Sequence, residues 1–380
     1  MTLKRTPLFS AHQSLGARLV DFGGWEMPVQ YDGIVAEHNR VRTAAGMFDI
    51  SHMGEVVVSG AEAKNFLNHL LTNDVGTLFP GQGQYSIMCN ETGGTVDDLY
   101  VYRTGPQDYL LIINASRIDV DVPWMETQLQ AFAGSARVNL QNLSDTTAAI
   151  AIQGPAAAAI VDQLFPGPSM SDTRVDRPSD LAKNELGRFL FGTDEVWVSR
   201  TGYTGEDGFE LVTPNATIGP LWETSLTLGG PLGLQPAGLG ARDTLRTEMC
   251  YPLYGHELDE QTSPIAAGVG FFVKLDKPSF IGRDALLTEK EQGPAKKLAA
   301  FVMAGKSPPP RPHYRVFADG EPVGETVSGT LSPSLNNGIG MAYVPAGFAR
   351  PETEIEIEIR NRRFPARVTR KPIYKKPQAG

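Results

Sequence analysis

Residues 84–114 read QYSIMCNETGGTVDDLYVYRTGPQDYLLIIN. Three β-prone runs, 84–89, 96–102 and 109–114, are cut by short turns carrying Gly93-Gly94 and Gly105-Pro106, the pattern of an antiparallel meander. The flanks are mixed. Upstream, the spacing predicts a helix over 31–45, a turn into a short strand at 46–50, a strand at 55–60 and an amphipathic helix over 61–71. Downstream come a helix near 122–132, an apolar strand at 148–153 and an Ala-rich helix. Such units make the fold class α+β rather than doubly wound.

Further along, residues 195–200 alternate as a strand, with 209–212 as partner, around the glycine-rich turn GYTGEDG at 202–208. Residues 238–249 are helical by composition. The texture changes at Lys297, where short β segments such as 298–303 and 315–318 are separated by Pro/Gly turns. Residues 354–360, EIEIEIR, alternate as a strand with one wet face. The C-terminal part is expected to be a small all-β, barrel-like domain entered through the polar stretch 289–297.

The chain has 380 residues, 41% hydrophobic and 20% charged, which suits two or three domains with real cores. Lys and Arg total 34 against 43 for Asp and Glu, a net charge of -9. That balance argues against nucleic acid or an anionic membrane as partner. Cys89 and Cys250 are far apart, which excludes a disulfide scaffold and a cysteine-rich zinc site. Two reduced thiols suit a cytoplasmic compartment of bacterial type, or the mitochondrial matrix if the source is eukaryotic. No signal-type apolar run opens the sequence and no stretch approaches the ~18 apolar residues of a membrane helix. A soluble protein is expected.

Nucleotide, nucleophile and metal signatures are missing. There is no P-loop, no complete dinucleotide fingerprint, no nucleophile elbow, and no H-x-x-x-H pair among six histidines, so no metal is expected. Acids beside glycines stand out instead. Asp97 and Asp98 interrupt an apolar strand, and strand alternation turns them to opposite faces. Asp98 shares its face with Val96, Tyr100 and Tyr102, where a carboxylate is costly to bury without a partner. The plainer reading is an edge strand with Asp97 in solvent and Asp98 capping a turn.

The hairpin at 199–210, SRTGYTGEDGFE, puts Glu210 in a strand where its carboxylate could accept paired hydrogen bonds from an amino-heterocycle. Its plainer reading is an ordinary hairpin with surface acids. The helix GLGARDTLRTEMC at 238–250 brings Arg242, Arg246 and Met249 near one face, so two guanidinium groups could clamp a carboxylate. Equally, Arg246 could pair with Asp243 or Glu248 to stabilise the helix.

These segments, together with TPLFSAH at 6–12, FGGWEMPVQY at 22–31, FDISHMG at 48–54, YGHEL at 254–258, SPIAAGVGFFVKLDK at 263–277 and VSGTLSPSL at 327–335, resemble the T-protein family of the glycine cleavage system. These are tetrahydrofolate-dependent aminomethyltransferases, and the resemblance runs over almost the whole chain. It implies a three-domain, cloverleaf-like arrangement with a folate channel. The domains would be a discontinuous folate-binding domain of residues 1–50 plus 146–285, a second α+β domain at 51–145, and a C-terminal β domain at 296–376.

Residue by residue, the resemblance makes Asp98 the catalytic acid near the reacting folate nitrogens and Glu210 the reader of the pterin amino edge. It makes Arg242 a channel-lining arginine and Tyr85, Tyr102, Tyr203 and Met53 wall residues. The match does not extend to KPIY at 371–374, so Tyr374 is not assigned. The implied partner is the H-protein lipoyl carrier, and the implied assembly a monomer or weak dimer. A basic island of Arg360, Arg362, Arg363, Arg367, Arg370 and Lys371 could dock the carrier or the folate tail, or form a solvated hairpin face.

Two other readings share the pocket. One is a tetrahydrofolate-dependent demethylase of a small methylated compound. The other is a non-enzymatic folate-binding protein of iron–sulfur assembly, whose K-G-C-Y-x-G-Q-E motif does not occur here.

Overall fold

The computed structural model describes residues 2–376. The chain opens on helix α1 (Phe9–Ser14) and strands β1 (Arg18–Phe22) and β2 (Trp25–Gln30). Helix α2 (Ile34–Thr43), strands β3 (Ala45–Asp49) and β4 (Gly54–Ser59) and helix α3 (Ala63–Leu70) follow. Then come β5 (Gly83–Cys89), β6 (Thr95–Arg103), β7 (Asp108–Ile113), α4 (Ile118–Ala131), β8 (Asn139–Asn142), β9 (Thr147–Gln153) and α5 (Ala157–Leu164). Strands β10 (Leu186–Phe191), β11 (Asp194–Ser199) and β12 (Gly208–Pro214) precede α6 (Asn215–Gly229), β13 (Leu234–Pro236) and α7 (Leu239–Met249). After α8 (Arg283–Gln292) the strands are β14 (Lys296–Met303), β15 (Arg315–Ala318), β16 (Glu321–Ser332), β17 (Asn337–Pro345), β18 (Glu354–Ile359) and β19 (Arg362–Thr369).

The chain falls into two compact units. The first takes residues up to Met88 with Asp97–Gly202 and Glu206–Arg242; the second takes Cys89–Val96, Tyr203–Gly205 and everything from Asp243 on.

Two sheets build the first unit. One runs β5-β6-β7-β4-β8 and contains the expected meander, with β6 inside the sheet rather than at its edge. The other runs β10-β11-β12-β9-β3-β13. There β9 pairs antiparallel with both β12 and β3, and β13 lies parallel to β3. Ile150 and Ile152 of β9 and Phe209 and Leu211 of β12 join Ile160 of α5 and Trp222 of α6 in its core. Each such side chain contributes roughly 1.5–3 kcal/mol by leaving water.

Local sequence explains how the elements are joined. Gly23 and Gly24, at φ 59° and 86°, form the two-residue turn that lets Phe22 pair with Trp25. In TPLFSAH, Thr6 Oγ1 donates to buried Asp49 at 2.6 Å and His12 Nε2 lies 2.8 Å from the same oxygen, which pins α1 to the end of β3. Glu37 of α2 accepts from the backbone N–H groups of Tyr31 and Gly33, and at 2.8 Å from Gly238, just before α7 begins.

The second unit carries a closed six-stranded barrel, β14-β17-β16-β15-β18-β19. The Glu/Ile alternation of β18 resolves as expected: Ile355, Ile357 and Ile359 are buried in the barrel core with Phe301 and Val368. The expected linker at 289–297 is not one, since α8 runs to Gln292 and β14 starts at Lys296. The fold class is α+β, with the expected all-β barrel at its C-terminal end.

Candidate functional site

The acids of β6 are both taken out of water, and by different neighbours. Asp97 is fully buried, which overturns the reading that leaves it in solvent. Its outer face is covered by α4, whose Asp121 sits in hydrogen-bond contact with it. Asp98 is partly buried and accepts from Tyr85 Oη at 2.9 Å. Register Tyr100↔Ile112, continued by two residues, sets Asn114 opposite Asp98. The Asn114 amide donates at 2.9 Å to Asp97 Oδ1 and at 3.0 Å to Asp98 Oδ1, so one side chain ties the two carboxylates together.

The groups bonded to Asp98, Tyr85 and Asn114, are both uncharged. Burial, and then the charge of Asp97, push the Asp98 carboxyl up to about 7. At neutral pH it stands near the midpoint of its titration, where a group can both accept and return a proton.

A second constellation surrounds Glu210. Its Oε2 accepts from Thr201 Oγ1 at 2.8 Å, and Thr201 Oγ1 is also 2.9 Å from Tyr102 Oη and from Ser199 Oγ. Glu210, Tyr102, Met53 and Trp197 line one cavity, which leaves about 10 Å³ of free space, room for a single water. A pteridine does not fit that free space. Glu55 lines it too. Its Oε2 accepts from Thr147 Oγ1 at 2.9 Å, its Oε1 has no partner, and burial pushes its carboxyl up to about 8.

The glycine-rich hairpin is fixed by its own acids. Glu206 makes a buried ion pair with Arg42 at 3.1 Å, and Asp207 takes Arg200 at 2.9 and 2.7 Å. A side chain at Gly202 or Gly208 would collide with Gln153, so these glycines serve close packing. The surface-acid reading of this hairpin therefore fails at Glu206.

Arg242 lies in the first turns of α7, half-buried; burial, with a smaller contribution from the Arg242 charge, holds His52 down at about 4, a neutral imidazole. Arg246 is not available to clamp a ligand. In the second unit it is buried and spent on Asp243 at 2.8 Å, Glu257 at 2.8 Å and Ser328 Oγ at 2.7 Å. Glu248, the other proposed helix partner, instead accepts from Ser332 and Ser334 at 2.5 and 2.9 Å. This is what GARDTLRTEM and VSGTLSPS do together.

Of the assigned residues, Tyr85 and Asp98 are in direct contact, and Met53, Tyr102 and Glu210 share the cavity. Arg242 is associated with His52, and Tyr203 belongs to the second unit, where its hydroxyl donates to the Pro252 carbonyl and its ring stacks on Tyr251 at 5.8 Å. Sequence reasoning missed Asn114, Asp121 and Glu55. Glu55 carried the signal used for Asp98, a carboxylate inside an apolar strand. Two of the six residues of the basic island meet acids: Arg363 lies over Phe317 near Glu356 and Arg367 reaches Glu352, while Lys371 directs its amine to the Ala267 carbonyl.

Comparison with known proteins agrees with this architecture. The family model described as GCVT N-terminal domain matches residues 8–277, and the glycine cleavage T-protein C-terminal barrel domain matches residues 296–375. An aminomethyltransferase of Shouchella clausii is 47% identical over 98% of both chains. One from Desulforamulus reducens is 45% identical over 98% of this chain and 99% of its own. The crystal structure of glycine cleavage system aminomethyltransferase T from Bartonella henselae superposes with a TM-score of 0.88 at 31% identity, covering 98% of each chain. The chain belongs to the glycine cleavage T-protein family of aminomethyltransferases.

Proposed function

We propose that this protein takes the aminomethyl group from the lipoyl arm of the H-protein, releases ammonia and forms 5,10-methylenetetrahydrofolate. The balance is closed without redox change. The carbon leaves sulfur and nitrogen for N5 and N10 of the folate, and the two N–H protons end on the lipoyl thiol and on ammonia. Such a reaction needs two reactants held together, stabilisation of a developing cation, and a group that passes a proton.

Asp98 is the proposed acid. The single observation that carries this is its carboxyl poised near neutrality between Tyr85 and Asn114, in a chain that aligns with aminomethyltransferases over nearly its full length. As an anion it stabilises positive charge on the folate nitrogens or the one-carbon unit; as an acid it can supply the departing amine. Positioning supplies roughly 7–11 kcal/mol when the partners are held in near-attack geometry. Glu210 is proposed to read the pterin amino edge, and Arg242 to line the folate path, with Tyr85, Tyr102, Tyr203 and Met53 as its walls.

The test is to mix the protein with an aminomethyl-loaded lipoyl carrier and tetrahydrofolate, and to measure both products. Ammonia and methylenetetrahydrofolate should appear one to one. Methyl transfer from a small methylated donor with no reaction on the carrier would overturn the reading in favour of a demethylase.

A further inference from the structure

Asp121, which the proposed chemistry does not use, is built into the same network. It lies on α4, fully buried, and neither of its carboxyl oxygens receives a hydrogen bond from a nitrogen or hydroxyl donor. Its contact is the Asp97 carboxylate. Asp97 in turn accepts twice from Asn114, from its backbone N–H at 3.0 Å and its side chain at 2.9 Å. The same Asn114 amide continues to Asp98. The cation set against these three acids is Arg117, whose Nε is 3.8 Å from Asp121 Oδ1.

Two ionised carboxylates in contact, out of water, repel and leave lone pairs facing each other. A single proton between them turns the repulsion into a hydrogen bond. Asp97 is already committed as acceptor from Asn114, so the O–H belongs to Asp121.

We propose that Asp121 is the resident proton carrier of this chain: its carboxyl stays neutral and donates to Asp97, which fixes Asp97 as the acceptor that orients the Asn114 amide onto Asp98. Asp121 is thereby a positioning residue for Asp98, touching no substrate. The proposal rests on the reading of Asp98 as the reacting acid. Burial pushes both Asp97 and Asp121 upward, in the direction the proposal needs.

Two effects oppose it, the Arg117 cation 3.8 Å from Asp121 Oδ1 and the helix dipole. Asp121 lies near the N-terminal end of α4, where the helix dipole favours an anion. Because no N–H hydrogen-bonds its oxygens, both contributions are weak, and burying a second charge against Asp97 outweighs them. The neutral form wins. The charged or titratable groups facing this network are Asp97 and Asp98 from β6, Arg117 from the turn before α4, and Tyr85 from β5. Helix α3, which also packs on α4, turns its His69 onto the Phe132 ring.

The experiment uses the full chain and two variants. The infrared difference between the chain and its Asp121→Asn variant at neutral pH should contain the carbonyl stretch of one neutral carboxylic acid, over the contributions of Glu55 and Asp98 that both proteins keep. In pH profiles of aminomethyl transfer, Asp121→Asn replaces the O–H by an N–H of equal charge, and should leave the Asp98 midpoint within about 0.3 pH unit. Asp121→Leu removes the donor, so Asp97 takes up the proton itself, the charge beside Asp98 disappears, and the midpoint falls by about 1 unit. Absence of that difference band, or equal downward shifts in both variants, would overturn the proposal. The infrared reading needs no turnover, so it stands apart from any failure of the proposed reaction.

Discussion

Around Arg246 each buried charge meets an opposite charge or a donor: Asp243 and Glu257 take the guanidinium, and Glu248 takes two serine hydroxyls. Around Asp98 three carboxylates crowd together, bridged by one amide and faced by one arginine. Both clusters are buried and both interrupt otherwise apolar stretches. The first gives every acid a cation or a hydroxyl donor, and it holds structure. The second has the same ratio of acids to arginine, but Asp121 receives no N–H or O–H donor, so a proton must be held there, and groups that hold protons near pH 7 can do chemistry.

If the comparison is right, the two clusters should break differently. Arg246→Met leaves Glu257 buried and unpaired and should cost about 3–5 kcal/mol in denaturant unfolding. Adding Glu257→Met should return most of that loss. A single-site cost below ~1 kcal/mol would mean that the pair is weak and the contrast false.

Glu55 shows the same burial without enough donors in miniature. Its folded carboxyl titrates at about 8 against an ordinary 4.5, because burial disfavours the anion. Between those values the unfolded chain is ionised while the folded one keeps its proton, so stability is full below pH 4.5 and falls as pH rises to 8. Glu55→Gln should remove this slope, and at pH 8 should be the more stable protein by about 4 kcal/mol. Equal slopes for the two proteins in thermal melts across that window would show that Glu55 is ionised.

Smaller effects sharpen the picture. Tyr85 donates to the charged form of Asp98, so Tyr85→Phe should move the Asp98 midpoint upward, by up to about one unit in the pH profile. A downward shift would place the Tyr85 bond on the neutral form. Smallest of all is Arg362→Glu on the exposed C-terminal hairpin, expected to change carrier association less than about threefold at physiological salt. A larger, salt-dependent loss would make that face a docking surface after all.

Much of the fold could be read from local pattern. The meander at β5–β7, the β11–β12 pair and the Glu/Ile strand of the barrel all announce themselves through alternation and glycine-bearing turns. What could not be read is what covers a strand. Alternation correctly gave Asp97 and Asp98 different neighbours, but nothing local says that α4 closes over Asp97 and brings Asp121 with it. Likewise the i, i+4 spacing of Arg242 and Arg246 is real, yet Glu257 and Ser328, distant in sequence, decide that Arg246 is structural. Asn114, the residue that couples the two aspartates, is an unremarked polar end to a hydrophobic strand until the register places it.

The account turns on the charge of one carboxyl. Asp98→Asn preserves shape and the amide's hydrogen bonds but can neither ionise nor pass a proton. Turnover of the loaded carrier should fall by about 10²–10³, while the tetrahydrofolate dissociation constant stays within about threefold. Loss of folate binding, with turnover per bound folate maintained, would contradict it.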